Sequence, residues 1–326
     1  MYKYYFRMKV ACVTGITGQD GAYLAQLLIE NNYKVVGLTR SYNNVNGRSF
    51  KYLGIDNQII IEECDLLDFS SIIKILLKYA PTEFYNLAAQ SSVGASFEQP
   101  IGTINFNTQS VLNILESVRV LKLDTRVYQA SSSEMFGEVK SLPVNEKTPL
   151  HPLSPYAISK ASGYWIGINY RESYGIYCVN GVLFNHESYL RSPNFFVKKV
   201  VRTSLEIKKG MKDKLHVGNV DVKRDFGYAP DYVKAMWLSL QQDKADDYLI
   251  CSGKSIYLRD IIKYVFEYLG ISKNKLLVDQ TLFRPTDIKD MYGDNTKAKT
   301  ILKWEYNKSF FDVLDILIEE EDKNFR

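Results

Sequence analysis

Short apolar, β-branched runs alternate along the first half of this chain with longer stretches in which apolar residues return every three or four positions. The run at 9–14 stops at a glycine cluster and helical spacing follows over 21–31, which predicts strand, turn and helix. The same pattern predicts strands at 34–38, 58–64, 83–87 and 126–130, and helices at 68–79 and 103–118. A further helix is predicted over 156–174, entered behind Ser154-Pro155, and a further strand over 177–184. Alternation of this kind builds βαβ units, so the expected class is α/β: a Rossmann-type, doubly wound parallel sheet with helices on both faces.

Past Asn185 the rhythm loosens. Residues 195–208 predict a basic amphipathic helix, 231–241 and 259–268 two more, and 280–294 a polar loop carrying Arg284-Pro285. The expectation is a sheet domain over 8–184, rejoined by 219–251, and a smaller mixed α/β lobe over 185–218 and 252–326 that holds substrate.

Composition narrows the class. The chain has 326 residues, 46% hydrophobic and 24% charged, enough for a sizeable core, and no apolar run approaches the length of a membrane span. The balance of 41 basic and 37 acidic residues gives +4, with the basic residues scattered, which argues against a nucleic-acid partner and against a membrane. The four cysteines and three histidines show no metal-ligand spacing and no disulfide framework. Residues 1–8 lack the features of a secretory leader, so a reducing, cytoplasmic setting is expected.

Two runs carry the chemistry. Gly15, Gly18 and Gly21 recur every third position between a predicted strand and a predicted helix, the context in which glycines let the backbone approach a pyrophosphate at a helix N-terminus. At the end of the second strand, where a ribose hydroxyl would meet an acid, stand Thr39, Arg40 and Ser41. Arg40 suits an adenosine 2′-phosphate and favours NADP, with NAD the alternative. Asp65, after the third strand, is placed for the adenine amine, and Asn86-Leu87-Ala88-Ala89 for passage beneath the cofactor. Tyr156 and Lys160 are one helical turn apart, so the ammonium is expected to lower the phenol pKa and let it take a proton from a sugar hydroxyl as hydride leaves. Glu134 follows the strand 126–130 at the edge where ligands bind, suited to removing the proton beside a new ketone.

These motifs resemble the extended short-chain dehydrogenase/reductases and, within them, the GDP-mannose 4,6-dehydratases. The segments that carry the resemblance are Thr14-Gly15-Ile16-Thr17-Gly18-Gln19-Asp20-Gly21, Tyr85-Asn86-Leu87-Ala88-Ala89-Gln90-Ser91, Tyr128-Gln129-Ala130-Ser131-Ser132-Ser133-Glu134, Asn185-His186-Glu187-Ser188, Lys223-Arg224-Asp225-Phe226-Gly227 and Phe283-Arg284-Pro285. The resemblance implies oxidation of a GDP-sugar at carbon 4, loss of water across carbons 5 and 6, and return of the hydride to carbon 6. By position it implies that Tyr156 and Lys160 run the redox step, Ser132 holds the carbon 4 hydroxyl and Glu134 is the elimination base. It places Gly15, Thr17, Gly18, Gln19, Asp20, Gly21, Leu66, Leu87, Ala88, Ala89 and His186 on the cofactor beside Arg40 and Asp65, and Ser91, Asn185, Lys199, Arg224 and Arg284 on the nucleotide sugar. It also implies a homodimer paired through 105–118 and 156–174, or a homotetramer.

The chain departs from the family in places. Ser132 stands where Thr is usual, Arg40 is followed by Ser41 rather than a second Arg, 48–58 is short, Asn107 replaces an Asp, and Tyr189-Leu190 replace Pro-Arg. GDP-mannose is the leading substrate. GDP-N-acetylglucosamine, a GDP-heptose, or 4-epimerisation of a nucleotide sugar on the same fold are the alternatives.

Overall fold

In the computed structural model, which describes residues 8–45 and 47–325, the chain runs β1 (Val10–Thr14), α1 (Gln19–Glu30), β2 (Lys34–Thr39), α2 (Arg48–Leu53), β3 (Ile59–Glu63), α3 (Phe69–Tyr79), β4 (Glu83–Asn86), α4 (Val93–Glu98), α5 (Pro100–Val120), β5 (Arg126–Ser132), α6 (Pro155–Tyr174) and β6 (Cys178–Leu183). It continues through β7 (Asn185–Glu187), α7 (Phe196–Lys208), β8 (Leu215–Val217), β9 (Lys223–Tyr228), α8 (Ala229–Leu240), β10 (Asp247–Ile250), β11 (Ser255–Tyr257), α9 (Leu258–Leu269), β12 (Leu276–Val278), α10 (Thr296–Leu302) and α11 (Phe310–Lys323).

Seven strands form one parallel sheet in the order β3-β2-β1-β4-β5-β6-β10. Residues of β4, β6 and β10 are buried throughout, as strands covered on both faces must be, whereas edge strand β3 has only partly covered and exposed positions. One face packs against α1 and α8 around Tyr85, Tyr128 and Tyr232, and the other against α3, α5 and α6 around Cys12, Phe84 and Ile114. Strand order reverses between β1 and β4, so the loops after these two strands diverge and open a crevice at their carboxyl ends.

The smaller part is built on two short sheets, β11-β9-β7 and β12-β8, with its own core of α7, α9 and α11 around Val200, Phe226, Ile262 and Leu314. The alternating pattern of the first half predicts the strands β1 to β6 and the helices α1, α3, α5 and α6 to within a few residues, but not the short helices α2 and α4. The second half adds short strands that no alternation could mark, and α11, which begins at a reciprocal Ser309 and Asp312 cap. Among the described residues, no helix is long and apolar enough to cross a membrane.

Candidate active site

Thr14, the last residue of β1, joins the two loops at the crevice. Its hydroxyl donates to Asn86 Oδ1 at 2.9 Å and accepts from the backbone N–H groups of Leu87 and Ala88 at 2.9 and 3.0 Å. Gly15 then turns at φ +65°, where a side chain would be strained and a Cβ would meet Ala88 N at 3.1 Å. A Cβ on Gly21 would lie 2.4 Å from the Gly15 carbonyl oxygen. Gly18 caps α1 with no side chain, so the positive end of the helix dipole is left for an anion. This side-chain-free cradle fits the pyrophosphate of a dinucleotide.

The cradle opens into a cavity of about 990 Å³. Gly15, Thr17, Gly18, Gln19, Asp20, Gly21, Leu87, Ala88, Ala89, Ser91, Ser132, Glu134, Tyr156, Lys160, Asn185, His186, Lys199, Arg224 and Arg284 all line it. Arg40, Asp65 and Leu66 do not: Arg40 is exposed past β2, Asp65 is exposed with its carboxylate accepting from Leu67 N at 3.0 Å, and the Leu66 side chain packs into the core. They follow the carboxyl ends of β2 and β3, outside the enclosed space.

Tyr156 and Lys160 enter on α6, which starts at Pro155 behind a Ser154 cap accepting from Ala157 N at 3.1 Å. The expected pairing of ammonium and phenol is not what the structure contains. Lys160 Nζ lies 5.9 Å from the Tyr156 ring centroid and donates to the Ala130 carbonyl at 2.8 Å. Burial pushes the phenol up to about 12, against a hydrogen bond with Ser132 and the charge of Arg191 that draw it down. Burial also pulls the Lys160 ammonium down to about 8. Helical spacing places two side chains on one face; it does not decide which partner each chooses.

Beneath Lys160 runs a chain of side-chain amides. Asn86 Nδ2 donates to Gln129 Oε1 at 2.8 Å, and Gln129 Nε2 to the Ala130 carbonyl at 3.0 Å. Glu134 follows β5 in a single 3₁₀ turn whose backbone N–H donates to Ser132 Oγ at 3.3 Å. Its carboxylate stands 3.9 Å from Arg224 Nε. The rest of that guanidinium is anchored by the carbonyls of Lys223 and Ile288 at 2.8 and 2.6 Å and by Asp287 at 2.8 Å.

The two most specific sequence runs clasp each other. Gln19 donates to the His186 carbonyl at 3.1 Å and accepts from Ser188 Oγ at 2.8 Å. His186 Nε2 meets both Asp20 oxygens at 2.9 Å while Nδ1 meets the Phe184 carbonyl at 2.7 Å. Both partners only accept, so both ring nitrogens donate and the ring is an imidazolium. Burial works against that charge, and the Asp20 carboxylate outweighs it, holding the imidazole above its ordinary range.

Sequence reasoning missed Arg191. It lines the cavity, pairs with Glu187 at 3.5 Å and stacks on Phe195 with its carbon 3.6 Å from the ring centroid. A lone Arg in an irregular loop carries no spacing signal that could have exposed it.

A family model described as GDP-mannose 4,6 dehydratase matches residues 12–317. The chain belongs to this family. GDP-mannose 4,6 dehydratase 1 of Arabidopsis thaliana is 42% identical over 96% of this chain and 90% of its own length. Among solved structures, a dTDP-glucose 4,6-dehydratase of Streptomyces venezuelae with NAD bound superposes with a TM-score of 0.87 over 97% of each chain at 21% identity. RMD of Pseudomonas aeruginosa, complexed with NADPH, gives 0.82 over 97% of this chain and all of that one at 22% identity. The family places the chain among hydro-lyases, and the structural likenesses show the fold.

Proposed function

We propose that the protein converts GDP-mannose to its 4-keto-6-deoxy derivative and water, with NADP held in the crevice. The observation that carries this reading is an acid–base carboxylate, Glu134, lining the same cavity as the redox set Ser132, Tyr156 and Lys160. A redox step alone has no use for that carboxylate.

When bound in the cradle, a nicotinamide would supply reversible hydride transfer, out from carbon 4 and back to carbon 6. Tyr156, in its ionised form, which the Ser132 hydrogen bond and the Arg191 charge favour against burial, takes the proton of the carbon 4 hydroxyl, which Ser132 holds. Lys160 steadies the Ala130 carbonyl at the end of the amide chain and brings positive charge to the buried site. The new ketone acidifies the proton on carbon 5; Glu134 removes it and passes a proton to the departing carbon 6 hydroxyl. As hydride returns to carbon 6, the proton that Tyr156 took is given back to carbon 5, so the site ends as it began. Arg224, beside Glu134, and Lys199, Arg284 and Asn185 bind the nucleotide diphosphate. The exposed Arg40 past β2 would hold the 2′-phosphate of NADP. The sheet domain 8–184 with 219–251 holds the cofactor, and 185–218 with 252–326 holds the nucleotide.

Glu134→Gln keeps size and hydrogen bonding and removes the base. The variant is expected to oxidise GDP-mannose, seen as absorbance of the reduced nicotinamide, while dehydration falls by about 10²- to 10⁴-fold. Dehydration at the unaltered rate would overturn the assignment.

We further propose a homodimer through α5 and α6, supported by the exposed apolar side chains Ile101, Ile158 and Trp165 on these helices. Trp165→Asp is expected to shift the sedimentation coefficient to that of a monomer; an unchanged value would remove α6 from the interface.

A further inference from the structure

Asn107 is 4% exposed in α5, and each polar hydrogen and the oxygen of its side chain is used. Oδ1 accepts from Gln90 N at 2.9 Å, and Nδ2 donates to Gln90 O at 3.0 Å and to Ser159 Oγ at 2.9 Å. Ser159 Oγ in turn donates to the Tyr156 carbonyl at 2.7 Å. Gln90 belongs to the loop that lines the cavity after Leu87, Ala88 and Ala89; Ser159 immediately precedes Lys160. One side chain therefore spans from the cofactor loop to the helix turn that carries both redox residues.

The polarity of these bonds demands an amide. The Gln90 N–H fixes which end of Asn107 is oxygen, and the Gln90 carbonyl needs a donor at the other end. Ser159 has committed its only proton to Tyr156, so it too needs a donor. A carboxylate at this position would keep the bond from Gln90 N but could not supply the two donations to Gln90 O and Ser159 Oγ. Gln90 Oε1 accepts from Ser92 N at 2.7 Å while its Nε2 has no hydrogen-bond partner, so the side chain is tied only within its own loop and the Asn107 bonds are what join Gln90 to α5.

We propose that Asn107 is a positioning residue for the hydride step, setting the distance between the cofactor loop and the helix turn of Tyr156 and Lys160. This rests on the dehydratase reading above. It acts through Gln90 and Ser159 and touches neither substrate nor cofactor. Misplacement of reacting groups by about 1 Å can cost on the order of 10²-fold in rate, so a link of this kind is felt in turnover before it is felt in binding.

The test compares Asn107→Ala, Asn107→Asp and Ser159→Ala with the unaltered protein. The readouts are kcat and KM for GDP-mannose and the isotope effect from substrate deuterated at carbon 4. Asn107→Ala is expected to lower kcat by about 10- to 100-fold with KM changed less than about threefold, and to raise the isotope effect as hydride transfer becomes limiting. Ser159→Ala breaks only the helix side, while Asn107→Asp breaks that side and the donation to the Gln90 carbonyl, so each should lose severalfold, Asn107→Asp the more, and the double variant should be no worse than Asn107→Asp alone. The milder pair keeps the test decisive if Asn107→Ala folds poorly. Variants that lose thermal stability but keep kcat and the isotope effect would overturn the proposal, as would additive losses in the double variant. No turnover of GDP-mannose by the unaltered protein would instead refute the dehydratase reading.

Discussion

Two carboxylates, Asp20 lining the cavity on its sheet side and the fully buried Asp225 behind its lobe side, are held in opposite ways. On the sheet side, burial pushes the Asp20 carboxyl up, but His186 and Arg191 more than offset it and the group titrates below its ordinary value. On the lobe side, Asp225 accepts from Ser252 N and Oγ at 2.8 and 2.6 Å and from Gly253 N at 2.9 Å, bonds that tie β9 to the loop after β10. Those dipoles do not overcome burial, and its carboxyl is pushed up to about 6. Burial works against both carboxylates and the shifts are opposite: the full charges beside the part-exposed Asp20 outweigh it, and the dipoles around the fully buried Asp225 do not. The sheet wall is locked by an ion pair at neutral pH, whereas the lobe wall, which carries Arg224 next to Asp225, rests on a group whose proton is within reach of ordinary conditions.

The largest effect that would break this contrast lies on the sheet wall. Tyr156→Phe removes the proton acceptor and should lower kcat by about 10²- to 10⁴-fold while leaving GDP-mannose affinity near that of the unaltered protein, as measured by titration calorimetry. A residual rate within tenfold would show that the phenol is not the base.

A smaller effect sharpens the lobe side. Asp225→Asn turns an acceptor into a group with protons facing N–H donors, so denaturant unfolding should show a loss of about 1–3 kcal/mol. The pH dependence has a definite sign. The Asp225 carboxyl releases its proton near 3.8 in the unfolded chain and near 6 in the fold. Between these values the folded state binds more protons, so its contribution is full below 3.8 and is lost as pH rises to about 6. Stability of the unaltered protein relative to Asp225→Asn should therefore decline across that window; parallel curves would assign the shift elsewhere.

The smallest change concerns Lys199 on α7, half-buried at the cavity's edge. Lys199→Ala should raise KM for GDP-mannose about tenfold, one charge-assisted contact, with kcat within about twofold. A fall in kcat with KM unchanged would move Lys199 from binding to chemistry.

The sheet and its cradle were legible in sequence because alternation of buried strands and amphipathic helices is a long-period signal, and Gly15, Gly18 and Gly21 stand where the turn leaves no room for a side chain. Tyr156, Lys160 and Glu134 were legible as residue types at the right edge. Their partners were not: that Lys160 bonds to Ala130, that Gln19 and Asp20 spend their side chains on Ser188 and His186, or that Arg191 turns inward depends on residues brought together from far along the chain. The lobe was least legible, since strands of three residues such as β7 and β11 exist only through their neighbours.

The most direct test is to give the purified protein GDP-mannose with catalytic NADP and follow product mass. The account predicts loss of one water with no net reduction of the cofactor. An unchanged mass, whether the sugar is untouched or only epimerised at carbon 4, would contradict it.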